Sequence, residues 1–229
     1  MLANPRILLW GARSQARYIE SEILSRYIEP RIVIFDPTLE ECGYPTSGFF
    51  ISNPQMLESL VGELEHFVVC IGGTHGEARV RLSESLKRAG LAVFDSVHPT
   101  ALLHDTCSVG EGLQVMPGAV VNCHSELGAF VTLGTHSTVE HESILGSGVH
   151  VFPGALVAGM CEVHDYATVG LGAVVLPRLV VGEGSVICPG SVVHRNVPAY
   201  TEVRGNPAEV VGDAPSTYEG GLLETLFLP

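Results

Sequence analysis

Five of the ten histidines fall in one stretch of forty-one residues: His124, His136, His141, His150 and His164. Histidine is the common general base near neutral pH, because its unperturbed pKa is about 6.5. His141 is followed by Glu142, a carboxylate that can orient an imidazole. Such a pair suits acyl transfer from a thioester to an amine or hydroxyl, in which the acceptor loses one proton. That reaction also needs a donor where the oxyanion forms. Gly159 stands eighteen residues after His141, with an N–H that no side chain shields. A lone histidine is by default a solvated surface residue, so the pattern that places these residues matters more than the residues alone.

That pattern is a six-residue period. Stepping by six from Val97 through Val139 and Val157 to Val193 meets Val, Leu or Ile at all seventeen positions. The column four residues later is small or aliphatic throughout, from Ala101 through Ala155 to Val197, and glycine crowds the intervening offsets, as at Gly146 and Gly148. Six fits neither the helical period of 3.6 nor the strand period of 2. It fits a parallel β-helix, whose signature is a hexapeptide repeat. Three short strands make a coil of eighteen residues, and coils stack at about 4.8 Å. His141 and Gly159 therefore sit in one column, one coil apart.

Residues before the repeats alternate strand and helix. Arg6–Trp10, Arg31–Asp36, His66–Ile71 and Leu91–Phe94 read as short buried strands. Helices are expected from Ser14 to about Tyr27, from Asn53-Pro54 with Met56, Leu57, Leu60, Val61 and Leu64 on one buried face, and over Glu77–Ala89, ended by Gly90. This implies a small parallel α/β sheet, whose ligands bind at the carboxyl ends of its strands. That edge carries Gly11, Arg13, Ser14, Gln15, Asp36 and Gly72, the candidate acceptor-binding residues. Gly11 begins an incomplete dinucleotide fingerprint, with Arg13 where a second glycine belongs. Asp36 lies where a ribose-binding acid would lie; the alternative is an Asp-Pro turn in which it satisfies local N–H groups. The expected organisation is an α/β domain over 1–96, a β-helix over 97–211 and a tail over 212–229.

Composition excludes several classes. The chain has 229 residues, 46% hydrophobic and 16% charged, and a formal net charge of −13 from 12 basic and 25 acidic residues. A nucleic-acid binder would show the opposite sign. No apolar run reaches the length of a membrane span, and the first residues lack a signal core, so a cytoplasmic protein is expected. The six cysteines form no CxxC pair, and buried free thiols are favoured over disulfides.

The α/β domain, His98-Pro99, the hexapeptides and Gly205-Asn206-Pro207-Ala208 together resemble the bacterial sugar acyltransferases of the left-handed β-helix superfamily. Thr135-His136-Ser137-Thr138-Val139-Glu140-His141-Glu142 is similar to that family's T-x-x-x-V-E-H-[DE] stretch. The resemblance covers about residues 6–211 and implies a homotrimer that takes acetyl from acetyl-CoA, bound between neighbouring prisms, and gives it to a sugar or nucleotide sugar. It implies His141 as base, Glu142 as its orienting partner, Gly159 N–H facing the thioester oxygen, and His150, Gly172, Ala173 and Arg195 as further acyl-CoA contacts. No metal is expected. Gln15 replaces a family histidine on the acceptor side, and Gly134 an asparagine, so the acceptor's identity stays open. Two other classes share some of these features. A zinc carbonic anhydrase of the same fold would use His136 and His141, but Thr100 stands where a third ligand belongs, with His98 and His104 out of column. A catalytically inactive scaffold would bind no acetyl-CoA.

Overall fold

The computed structural model describes residues 4–215. They form two compact units: residues 4–72 with 81–94, and Gly73–Val80 with 95–215. The 212–229 tail falls almost wholly outside the described residues.

The first unit is a five-stranded parallel sheet. Its elements are β1 (Arg6–Trp10), α1 (Ser14–Arg26), β2 (Arg31–Phe35), β3 (Phe49–Ile51), α2 (Pro54–Leu60), β4 (His66–Val69), the part of α3 (Gly76–Arg88) from Arg81 on, and β5 (Ala92–Val93); the first residues of α3 belong to the second unit. The strand order is β3-β2-β1-β4-β5. The order reverses at β1, so the ends of β1 and β4 flank the switch-point crevice of a Rossmann-like sheet. Near-continuous apolar strands such as Ile7–Trp10 make the core, with Leu57, Leu82 and Leu86 from the helices.

Two local features differ from the sequence reading. The edge strand β3 escapes it, being only three residues long. The helix after Asn53 is one short α-helix followed by a 3₁₀ turn over Val61–Glu63, and Met56 is exposed where a buried face was expected. Asn53 Oδ1 does cap this helix, accepting from Gln55 N and Met56 N. Of the two roles open to Asp36, the local bonds are present: its carboxylate accepts from Ala12 N at 3.1 Å, Thr38 N at 3.0 Å and Thr38 Oγ1 at 2.6 Å.

The second unit is a left-handed β-helix with three faces. Two-residue strands follow one another around the prism, and each pairs in parallel with the strand eighteen residues on, as Thr138–Val139 does with Leu156–Val157. The first face runs from Leu102–Leu103 to Val192–Val193, the second from Ser108–Val109 to Val180–Val181, the third from Ser96–Val97 to Val186–Ile187. Strand Thr201–Arg204 extends the third face, and Glu209–Asp213 closes it antiparallel. The second residue of each strand points inward: Val121, Val139, Val157 and Val175 are fully buried. Val109 breaks the rule at 49% exposed, because it sits in the end strand of its face.

Candidate active site

His141 and Glu142 occupy the corner between the first and second faces. Glu142 has φ 58°, and its N–H donates to Cys123 O, one coil below. This turn brings Glu142 Oε2 to 3.0 Å from His141 Nδ1. A carboxylate only accepts, so Nδ1 donates and Nε2 is left with the lone pair. Both side chains are about half exposed, at 45% and 51%. The imidazole leans over Gly159: a Cβ there would lie 2.6 Å from His141 Nε2. A side chain at 159 would have to displace the imidazole from this position. Among the described residues nothing accepts a hydrogen bond from Gly159 N, so a base and a free donor meet at one point.

The other predicted residues are spread around the prism. Arg195 shares the corner column of His141 and Gly159, and pairs with Glu209. Gly172 lies at the corner on the opposite edge of the first face, with open space where a Cβ would project. Ala173 is fully buried, its methyl inside the prism, so only its backbone can meet a ligand. His150 stands on the third face, opposite the His141 corner. One chain thus does not gather these residues. His136 and His141 stand at different corners, and no group of three His, Cys, Asp or Glu among the described residues is placed to hold a metal ion.

His150 is 6% exposed, and its pKa is pushed down to about 3, by burial first and then by the Arg79 charge, against a hydrogen bond to Gly73 that favours the proton. Unfolded, it would take a proton near pH 6.5; folded, it resists. Its contribution to stability is therefore full above pH 6.5 and lost as pH falls from there toward 3. Between pH 6.5 and 5 this loss should be about 2 kcal/mol. We expect the melting temperature of His150→Asn to fall less steeply over that window than the parent's; parallel slopes in thermal scans would refute the assignment.

In the first unit, Gly11 has φ 110°, and a Cβ on it would lie 2.8 Å from Cys70 O. Its glycine is demanded by packing against the chain leaving β4. Arg13 is the N-cap of α1 and makes no side-chain cap bond, so Ser14 and Gln15 begin that helix at the carboxyl edge of β1. Asp36 holds the Gly11–Ala12 turn through Ala12 N. Sequence reasoning missed Glu20, whose buried Oε1 accepts from Thr46 Oγ1, Ser47 N, Ser47 Oγ and Gly48 N and so anchors the loop before β3. It also missed Arg79. No sequence signal marks either, since each reads as an ordinary charged helix residue.

No family model matches the chain. Solved structures do. PerB from Caulobacter crescentus, a perosamine N-acetyltransferase in complex with CoA and GDP-perosamine, is 27% identical, with a TM-score of 0.78 over 93% of this chain and 100% of that one. The acetyltransferase domain of PglB from Neisseria gonorrhoeae, in complex with acetyl coenzyme A, is 27% identical, with a TM-score of 0.80 over 91% of this chain and 100% of that one. WeeI from Acinetobacter baumannii shares the fold at 22% identity, with a TM-score of 0.80 over 90% and 99% of the two chains. The fold and these neighbours mark the chain as an acyltransferase of the left-handed β-helix type. Within that class, two structures like this chain at 27% identity are a perosamine N-acetyltransferase and the acetyltransferase domain of PglB.

Proposed function

We propose that the protein transfers an acetyl group from acetyl-CoA to the amino group of a nucleotide-linked amino sugar, with His141 as general base. The observation that carries this is the corner at which His141 Nε2, oriented through Glu142, overlies Gly159. The acceptor nitrogen attacks the thioester carbon. Gly159 N–H stabilises the oxyanion that forms, and Nε2 removes the proton from nitrogen. Collapse expels the thiolate, which takes the proton back from His141 to give the free thiol of CoA and the N-acetyl sugar. PerB, with its GDP-perosamine complex, supports a nucleotide amino sugar as acceptor. Residues Gly11, Arg13, Ser14, Gln15 and Gly72 hold that acceptor along the carboxyl edge of the sheet. Asp36 shapes the turn beneath it. Direct acetyl transfer to a panel of nucleotide amino sugars tests this reading; no transfer to any of them, with acetyl-CoA bound, would overturn it.

The active unit is a homotrimer. Outward positions of the first face read Leu102, Val120, Thr138, Leu156, Val174 and Val192, an apolar stripe lying between the two corners that bear His141 and Gly172. Packing that stripe on a second copy buries it and brings unlike corners together, completing a groove that one prism leaves half built. Leu156→Asp should place a charge in this contact. We expect a folded, inactive monomer by analytical ultracentrifugation. A wild-type chain that sediments as a monomer at micromolar concentration would sink the trimer.

A further inference from the structure

Arg79 lies in the first turn of α3 and is fully buried. Its Nε donates to Phe130 O at 3.0 Å and its Nη2 to Gly148 O at 2.7 Å. These carbonyls are eighteen residues apart at one corner, so a single guanidinium bridges two successive coils. The rigid fork of arginine suits this; the single ammonium of lysine does not. The backbone beside it lies directly on the prism. A Cβ on Gly76 would come to 2.4 Å from Gly148 O, and one on Gly148 to 2.7 Å from Gly76 O.

This turn ends on His150. Gly73, with φ 71°, places its carbonyl 3.2 Å from His150 Nδ1. A carbonyl accepts only, so Nδ1 carries the proton. Phe152 stacks on the ring at 4.0 Å between centroids and an interplanar angle of 19°. With Nδ1 given to Gly73, Nε2 holds a lone pair to which no described residue donates.

We propose that Arg79 is a positioning residue: by pinning the Gly73–Gly76 turn to the Phe130–Gly148 corner, it locks His150 in the Nδ1–H tautomer and leaves Nε2 as an acceptor for an N–H or O–H group of a substrate. The lock itself is independent of the acetyl-transfer reading, on which only the substrate's identity rests. It makes His150 a recognition group and not an acid or base. Besides Arg79, the titratable groups on the turn and the first turn of α3 are His75 and Glu77; Arg81, Glu84, Lys87 and Arg88 follow along the helix, and Tyr166 stands at the corner. Column neighbours Thr132 and Thr168 carry no charge. Burial and the Arg79 charge keep the imidazole neutral through the working pH range.

The test is nitrogen NMR of the full-length protein carrying ¹⁵N-histidine, with His150 assigned by its loss in His150→Gln. The wild type should show an unprotonated Nε2 for His150 that does not move from pH 8 to 5. Arg79→Lys keeps the charge but loses one carbonyl, and should give mixed tautomers. In steady-state assays it should raise the KM of one substrate about tenfold while kcat stays within about twofold. His150→Gln, which retains an acceptor oxygen, should keep a lower KM than His150→Leu. If Arg79→Lys does not fold, Arg79→Gln is read in the same way, since its amide reaches only one carbonyl. A protonated Nε2 in the wild type, titration of His150 between pH 5 and 8, or an unchanged tautomer in the folded Arg79 variant would overturn the lock. Acetyl transfer failing on every amino sugar while the tautomer holds would remove the enzymatic reading and leave the lock in place.

Discussion

His141→Ala is expected to lower turnover by about 10²–10⁴-fold, the usual worth of a positioned base, and to leave the fold intact. The side chain is 45% exposed and, among the described residues, its polar partner is the neighbouring Glu142, so little stability rests on it. Acetyl-CoA binding should survive, because Gly159 and the prism backbone are untouched. Glu142→Ala should cost less, since its carboxylate acts only through the imidazole. The double variant should be little worse than His141→Ala alone, because groups acting as one unit are not additive. The decisive figures are kcat on the best acceptor and the melting temperature of the same preparation. Near-wild-type kcat in His141→Ala would remove it as the base; a collapsed trimer would make it structural.

Much of this site was legible in the sequence, for a definite reason. In a solenoid with a fixed coil of eighteen residues, spatial neighbours are found by counting. The pairing of His141 with Gly159 follows from the number alone, and register pairs such as Val139 with Val157 confirm the count. The same count shows why Gly172 and His150 stand apart from His141: neither separation, thirty-one nor nine residues, is a multiple of eighteen. Contacts made by chain outside the repeats obey no such rule. Arg79 meets Phe130 and Gly148 across 51 and 69 residues, and nothing in Glu77-Ala78-Arg79-Val80 announces it. Gly11 was visible as a glycine, but the Cys70 carbonyl that its missing side chain admits was not. Asp36 was equally visible, but its bonds to Ala12 N and Thr38 N could not be counted out from the sequence.

Val157→Asp should abolish folding of the β-helix. Val157 is fully buried, stacked between Val139 and Val175 in the interior column of the first face. A carboxylate there has no donor within the prism. It must either stay neutral or break the coil, and an unpaired buried charge costs several kcal/mol after relaxation. That is a large share of the roughly 5–15 kcal/mol by which domains are stable. In a solenoid each coil is held only by its neighbours, so a broken middle coil also uncouples the coils on either side. The control lies in the same repeat. Val109 holds the equivalent position in the end strand of the second face but is 49% exposed, so Val109→Asp keeps its charge in water. Val109→Asp should express and melt within a few degrees of wild type, while Val157→Ala, losing two buried methyl groups, should cost about 2 kcal/mol. Val157→Asp should yield insoluble protein or a chain without a cooperative melting transition by circular dichroism. A soluble Val157→Asp that melts near Val109→Asp would mean that the hexapeptide column does not carry the stability of this fold.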